Sequence, residues 1–420
     1  MINERRNRDQ NRTISPVSLL LCFAGLLAIA FSITMREIQT TGLPQQLALM
    51  NLTPSIFNKL NATSEHSLII TLILSGLIVD LIGPRTVLSI AVAFSIVANY
   101  FFSTADYVHT LFACRLLSEY SHIFILMSVL TLGSHWLPRR HFAFFSGLLF
   151  GILLMAPILV IGPLLSITTS LGIESMNAPM TLVGLIIIFL IVKTRPIQDM
   201  TRRRTDIYGH FNPLRYYKIW LIGIVAMIGW MTNTFLLGVG LYYLTWEIHF
   251  TVYQAMTAIN VAYVYFIVGV IVLGIISDFF EKKRILIAMS YCIAAIAFTI
   301  IIFVHGISTQ WVLWLLYATA FFAGSNIICY TKANDYCTVE NSGIALGLVL
   351  SVSTIGSSLF SKGVHYYLRQ YIYTDPAASD HNWKMIVMTV PISLLLGALI
   401  SLFLRHDSIY PVRKTINTIP

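Results

Sequence analysis

Two pairs of opposite charges interrupt apolar runs that otherwise carry almost none. Arg115 and Glu119 fall within the run 108–132, and Arg36 and Glu37 come late in the run 17–38. An ionisable side chain at membrane depth is costly, and it marks a ligand contact, a proton route or a fixed ion pair. Four residues apart, Arg115 and Glu119 share one helix face, about one turn in from the outer end of their span. They can simply neutralise each other. Alternatively, Glu119 can gain and lose a proton while Arg115 orients an anionic substrate group. Arg36 and Glu37 pose a similar choice, because the helical residues from Pro16 onward carry them about 30 Å, to the outer boundary where long side chains snorkel. The "EIQTTGLP" that follows offers a break at Gly42 and Pro44. Such a break would let Glu37 face inward as a second proton carrier, with Arg36 beside it as a substrate contact.

Neutral candidates lie in the second half of the chain: Trp230 and Asn233, then Asn260 and Tyr263, then Asn326 and Tyr330. A mid-span amide must find a hydrogen-bond partner, and either a neighbouring helix or a ligand supplies one. Trp246 and Tyr366 read as interfacial belt residues, Lys362 and His365 as snorkelling ends, and His135 and His141 as surface residues of a basic turn.

One device occurs twice. "GLIVDLIGPR" places Gly76, Asp80, Gly83 and Arg85 at the end of an apolar run, and "GIISDFFEKKR" repeats Gly274, Asp278 and Lys283, with Glu281 where the second glycine is expected. A glycine at a helix face allows close approach, and an aspartate at a helix terminus accepts hydrogen bonds or pairs with a cation. Doubled, the device reads as a conformational latch on the inner side.

The elements that must position these groups follow from composition. Only 11% of the 420 residues are charged and the mean hydropathy is +0.77, which describes a membrane protein with no sizeable soluble domain. The apolar runs predict twelve helices: 17–38, 55–82, 87–104, 108–132, 141–166, 175–192, 219–246, 254–276, 285–304, 310–331, 343–366 and 385–404. The first follows a basic head but runs too long for a cleaved signal and is read as retained. The net charge of +9 is a matter of topology rather than nucleic-acid binding. Most Lys and Arg fall on one side, with only Lys59, Arg369 and Lys384 in loops on the other, so both termini are expected in the cytoplasm. The basic segment 193–218 divides the chain into halves 1–192 and 219–420, each with six spans and one copy of the Gly-Asp device. The expected fold class is therefore all-α and integral to the membrane, with two pseudo-symmetric six-helix bundles and a site between them near mid-membrane. The five cysteines have neither disulfide nor metal spacing, and no metal or cofactor is expected.

The paired GxxxDxxGxR-like loops resemble the signature of the major facilitator superfamily, along essentially the full chain. "CRLLSEYSHIFILMSVLTLGSHWLPRRHFAFFSGLLFG" is similar to the region between helices 4 and 5 of bacterial importers, through Arg115, Trp136, Pro138, Arg139 and Gly147. "FLLGVGLYYL" and "NDYCTVENSGIALG" resemble segments of the phagosomal nutrient and amino-acid transporter group. Glu119 departs from that pattern, standing where the family usually has glycine. The resemblance implies a role for Arg115 in substrate or proton coupling, and it implies that helices 7, 8 and 10, with their three amides, line the cavity. It also implies a monomeric secondary transporter of the bacterial inner membrane, importing a small polar solute such as an amino acid with protons. An exporter of a siderophore or drug is the alternative; "IGPLL" at Ile161–Leu165 has the Gly-Pro of an antiporter motif without its flanking glycines. No GxxxxGK[ST], HExxH or GxSxG is present, so ATP hydrolysis and enzymatic catalysis are not expected.

Overall fold

The computed structural model describes residues 16–50, 71–194, 212–280, 282–304, 308–367 and 379–404. The basic head, the outer part of the second predicted span with Lys59, most of the basic segment, Glu281, Arg369 and the tail from 405 lie outside the described residues. In hydrocarbon every backbone N–H and C=O must be satisfied within its own segment, and the chain meets that demand with helices. They are α1 (Pro16–Leu49), α2 (Thr71–Ile82), α3 (Pro84–Ser103), α4 (Val108–Trp136), α5 (Arg139–Leu171) and α6 (Asn177–Lys193). After a single turn at Asn212–Arg215 come α7 (Tyr217–Gly238), α8 (Val252–Phe279), α9 (Lys283–Phe303), α10 (Thr309–Asp335), α11 (Ser342–Tyr367) and α12 (Ser379–Phe403). Eleven are long and apolar enough to cross a membrane, and α2 is the shorter, described part of the second predicted span.

Three predicted elements are revised. α1 does not break at Gly42 and Pro44 but continues to Leu49, because Gly42 packs directly against Ile173 and the helix has a neighbour to lean on there. The predicted run 219–246 divides at Val239, where a separate short helix, Gly240–Trp246, begins. α10 changes to a 3-10 turn over Gly324–Asn326 before resuming. There Gly324 lies against the backbone of α8, and a methyl on Gly269 of α8 would sit 2.1 Å from the Phe321 carbonyl oxygen. Irregular backbone at membrane depth occurs where protein encloses it.

Packing repeats between the halves. In the first, α1 contacts α4, α5 and α6, while α3 contacts α4 and α6; in the second, α7 contacts α10, α11 and α12, while α9 contacts α10 and α12. The halves meet through α5 on α8 and α4 on α11, and through α2 on α11. At these crossings glycines remove the side-chain layer. A methyl on Gly76 would lie 2.4 Å from the Gly343 carbonyl oxygen, and one on Gly274 2.8 Å from that of Ala143. Gly347 and Gly147 make equivalent approaches to Leu72 and Val270.

Candidate functional site

The charged groups of the first half converge. Glu119 Oε1 accepts from Arg36 Nε at 3.1 Å and lies 3.5 Å from Arg115 Nη2, so one carboxylate oxygen serves two guanidinium groups. Arg115 is committed further, donating through Nη1 to the Arg36 carbonyl oxygen at 3.2 Å and to Thr40 Oγ1 at 3.1 Å. The side chains of Arg115 and Glu119 are 7% and 3% exposed, whereas that of Arg36 is 33% exposed. The intrahelical pair thus exists, but as part of a triad that ties α1 to α4. Arg36 turns towards α4 rather than snorkelling outward, since Glu119 gives its guanidinium a buried counter-charge. Glu119 is also deeper than expected, roughly 16 Å along α4 from Val108.

Glu37 differs from Glu119. It is half-buried and within Coulombic reach of Arg36, Arg115 and Glu119, yet its carboxylate makes no hydrogen bond or ion pair among the described residues. Sequence reasoning missed two more members. His122 Nδ1 lies 2.9 Å from Ser32 Oγ, whose hydroxyl donates to the Ile29 carbonyl oxygen, so the imidazole Nδ1–H donates to Ser32. Arg115, Glu119 and His122 follow an i, i+4, i+7 spacing on α4, the signal that could have revealed the histidine.

The second half contributes an aromatic cluster. Trp230 Nε1 donates to Tyr330 Oη at 3.0 Å, and Phe150 of the first half stacks on Tyr330 at 4.9 Å between ring centres. Phe266 closes against Trp230 at 5.8 Å. Tyr263 Oη donates across to the Leu154 carbonyl oxygen of α5 at 3.4 Å. Phe150 carries no polar atom and is not singled out by sequence. Asn233 and Asn326 are buried, and Asn326 Nδ2 and the neighbouring Ser325 Oγ have no partner among the described residues. Asn260 departs from expectation: it is exposed, on a face of α8 shared with the exposed Tyr253, Met256 and Val264, and is not gathered with the others.

At the basic end the doubled device crosses between halves. Asp80 accepts from the backbone amides of Gly343 and Ile344 at 2.9 Å each, in the first turn of α11. Asp278 accepts from Ala143 and Phe144 of α5 at 3.2 and 2.8 Å. Gly83 takes φ +102°, a conformation suited to glycine, and lets α3 start directly on Pro84. His135, expected as a surface residue of the basic turn, is half-buried, with Ser342 Oγ 3.3 Å from its Nε2 and 2.8 Å from Ser134 Oγ.

The cation of the second copy is corrected. Arg85 donates through Nε to the Ile191 carbonyl oxygen at 2.7 Å and through Nη2 to that of Val192, covering the end of α6. Its counterpart is Arg284, whose Nη1 donates to the Leu402 carbonyl oxygen of α12 at 3.2 Å. Lys283 instead pairs with Asp335 of α10 at 3.1 Å. The two arginines are each second in their helices, so helix register rather than spacing from the aspartate relates them.

The sequence profile of the Major Facilitator Superfamily matches residues 16–361. The chain belongs to the major facilitator superfamily. The outward-conformation structure of the superfamily transporter FucP is similar over 94% of this chain and 100% of that one, with a TM-score of 0.69 at 12% identity. A single-substitution variant of the E. coli fucose:proton symporter FucP gives 0.72 at 11% identity over the same shares. The human organic anion transporter MFSD10 gives 0.63 at 13% identity, over 92% of this chain and 100% of that one. No curated protein matches the chain. This superfamily member is a multi-pass membrane protein with a transporter fold.

Proposed function

We propose that this superfamily member is a proton-coupled secondary transporter that brings a small polar organic nutrient across a bacterial inner membrane by alternating access of residues 1–192 against 219–420. An amino acid is one member of that solute class. The observation that carries the reading is Glu37: a half-buried carboxylate with no ion pair among the described residues, beside a fixed charge triad and midway along a membrane helix. Charge placed there is expensive unless it works, and a carboxylate that is free to bind a proton can be neutral in one state and charged in another.

The triad divides the labour. Glu119 acts as the fixed counter-ion of two guanidinium groups, the buried Arg115 as the brace, and the partly exposed Arg36 as the cation left to meet the solute. Trp230, Asn233, Tyr263, Asn326 and Tyr330 supply the opposite wall. The Asp80 and Asp278 contacts close the basic end by holding helix amides of the other half, which favours the state open to the opposite face.

Reconstituted in liposomes, the wild type should accumulate a radiolabelled solute from a panel of amino acids, lactate and sugars under an inward proton gradient. Glu37→Gln should abolish accumulation but retain exchange. Accumulation that ignores pH and survives Glu37→Gln combined with Glu119→Gln removes the coupling.

A further inference from the structure

Within that reading, the substrate class follows from how the guanidinium groups are spent. Arg115 is engaged on both terminal nitrogens and enclosed. Arg36 uses only Nε, and its terminal Nη1 and Nη2 make no hydrogen bond among the described residues. Those two parallel donors form the fork that matches a carboxylate end-on. Its Nε is anchored to the buried Glu119 of α4, the most buried of the long helices, which holds the guanidinium beside the charge cluster. With a third of the side chain exposed, the fork is left accessible to a ligand. Further unpaired groups adjoin it in sequence on the same helices: Gln39, fully buried with neither amide atom partnered among the described residues, and Ser118, likewise buried with an unpartnered hydroxyl.

Charge balance sharpens the fit. Arg36, Arg115 and Glu119 together carry one surplus positive charge. With Glu37 ionised the cluster is neutral, and a bound anion would leave an uncompensated negative charge in a poorly screened place. With Glu37 protonated, one anion restores neutrality. Anion and proton then favour each other's binding, as linkage requires. Among the described residues, the other charged groups on the packed helices do not supply the balance. Arg85, Arg139, Arg140, His141 and Lys193 lie at the basic ends of α3, α5 and α6, whereas Asp106, His109 and Glu174 lie near the opposite ends. His122 is the one further titratable group described within the cluster's own face of α4, and it is tied to Ser32.

We propose that the substrate is an organic monocarboxylate, held end-on by the Nη1 and Nη2 of Arg36 and taken up together with one proton on Glu37. A zwitterion would instead need Glu37 ionised to receive its ammonium group, and a neutral sugar would leave the surplus charge unmatched.

The test is calorimetry on the full chain in nanodiscs with lactate, L-alanine and L-fucose as probes, at pH 6 and pH 8 and in buffers of different ionisation enthalpy. Lactate should bind roughly tenfold or more tightly at pH 6, with about one proton taken up. Glu37→Gln should keep the tight binding at both pH values and lose the proton uptake. Arg36→Gln should abolish binding. Arg36→Lys retains the counter-charge to Glu119, so it guards against misfolding, and should weaken lactate strongly. The proposal is overturned if no probe binds, if only alanine or fucose binds, or if Arg36→Lys binds lactate as the wild type does. Proton uptake that persists in Glu37→Gln points to His122 and equally overturns it. Gradient-driven fucose or alanine uptake would defeat the substrate class while leaving proton-coupled transport standing. Lactate binding without gradient-driven uptake would do the reverse.

Discussion

Gly343 donates its backbone amide to Asp80 at 2.9 Å, and a methyl group on that glycine would lie 2.5 Å from the same carboxylate oxygen. The first turn of α11 is thus fitted to a carboxylate arriving from the other half, and it leaves no room for a side chain at position 343.

Gly343→Ala should push the carboxylate off the Gly343 and Ile344 amides, and Asp80→Asn should lose one of the two bonds. Each charge-assisted bond contributes about 1.5–3 kcal/mol. Cys337 is a built-in reporter, buried in the turn before α11. Burial first, and the Asp80 carboxylate second, push its thiol up to about 12. A raised value keeps the thiol protonated, and only the thiolate attacks an alkylating agent. Iodoacetamide labelling of Cys337, followed by mass spectrometry, should stay slow in the wild type from pH 7 to pH 9. It should accelerate in both variants. Unchanged rates would detach the Asp80 contact from closure of the basic end.

Lys283 and Arg284 should separate experimentally although they are adjacent. Lys283→Ala and Asp335→Ala should be non-additive in thermal stability, with a coupling of about 1 kcal/mol, because they break the same pair. Arg284→Ala should add independently to Asp335→Ala. Coupling between Arg284 and Asp335 as large as that of Lys283 would refute the register assignment.

The two carboxylates should differ in stability as well as in transport. Glu119→Gln leaves two guanidinium groups without their counter-charge, a loss of about 3–5 kcal/mol for a buried pair. Glu37→Gln removes no ion pair among the described residues and should leave the melting temperature within a few degrees. Equal destabilisation by the two substitutions would show that Glu37 is structural.

Hydropathy and the doubled Gly-Asp loop make the architecture legible before any coordinates, because lipid restricts the backbone to a few solutions. The errors have physical sources. Gly42 and Pro44 read as a helix end, but tertiary contact with Ile173 outweighs local propensity. Distance from the aspartate aligns Arg85 with Lys283, whereas the second loop is one residue longer and helix register decides the contact. Phe150 has no polar atom to attract notice, and its importance lies in bringing α5 of one half against Tyr330 of the other. Asn260 resembles Asn233 in sequence, and only the rotation of α8 distinguishes an exposed amide from a buried one.

The glycine crossings have a mechanical corollary. Where Gly76 meets Gly343 and Gly274 meets Ala143, main chain lies directly on main chain with no interlocked side chains between. In the proposed rocking motion, tilting one bundle over the other there would disengage few rotamers, so these crossings would serve as bearings and the aspartates as their detents.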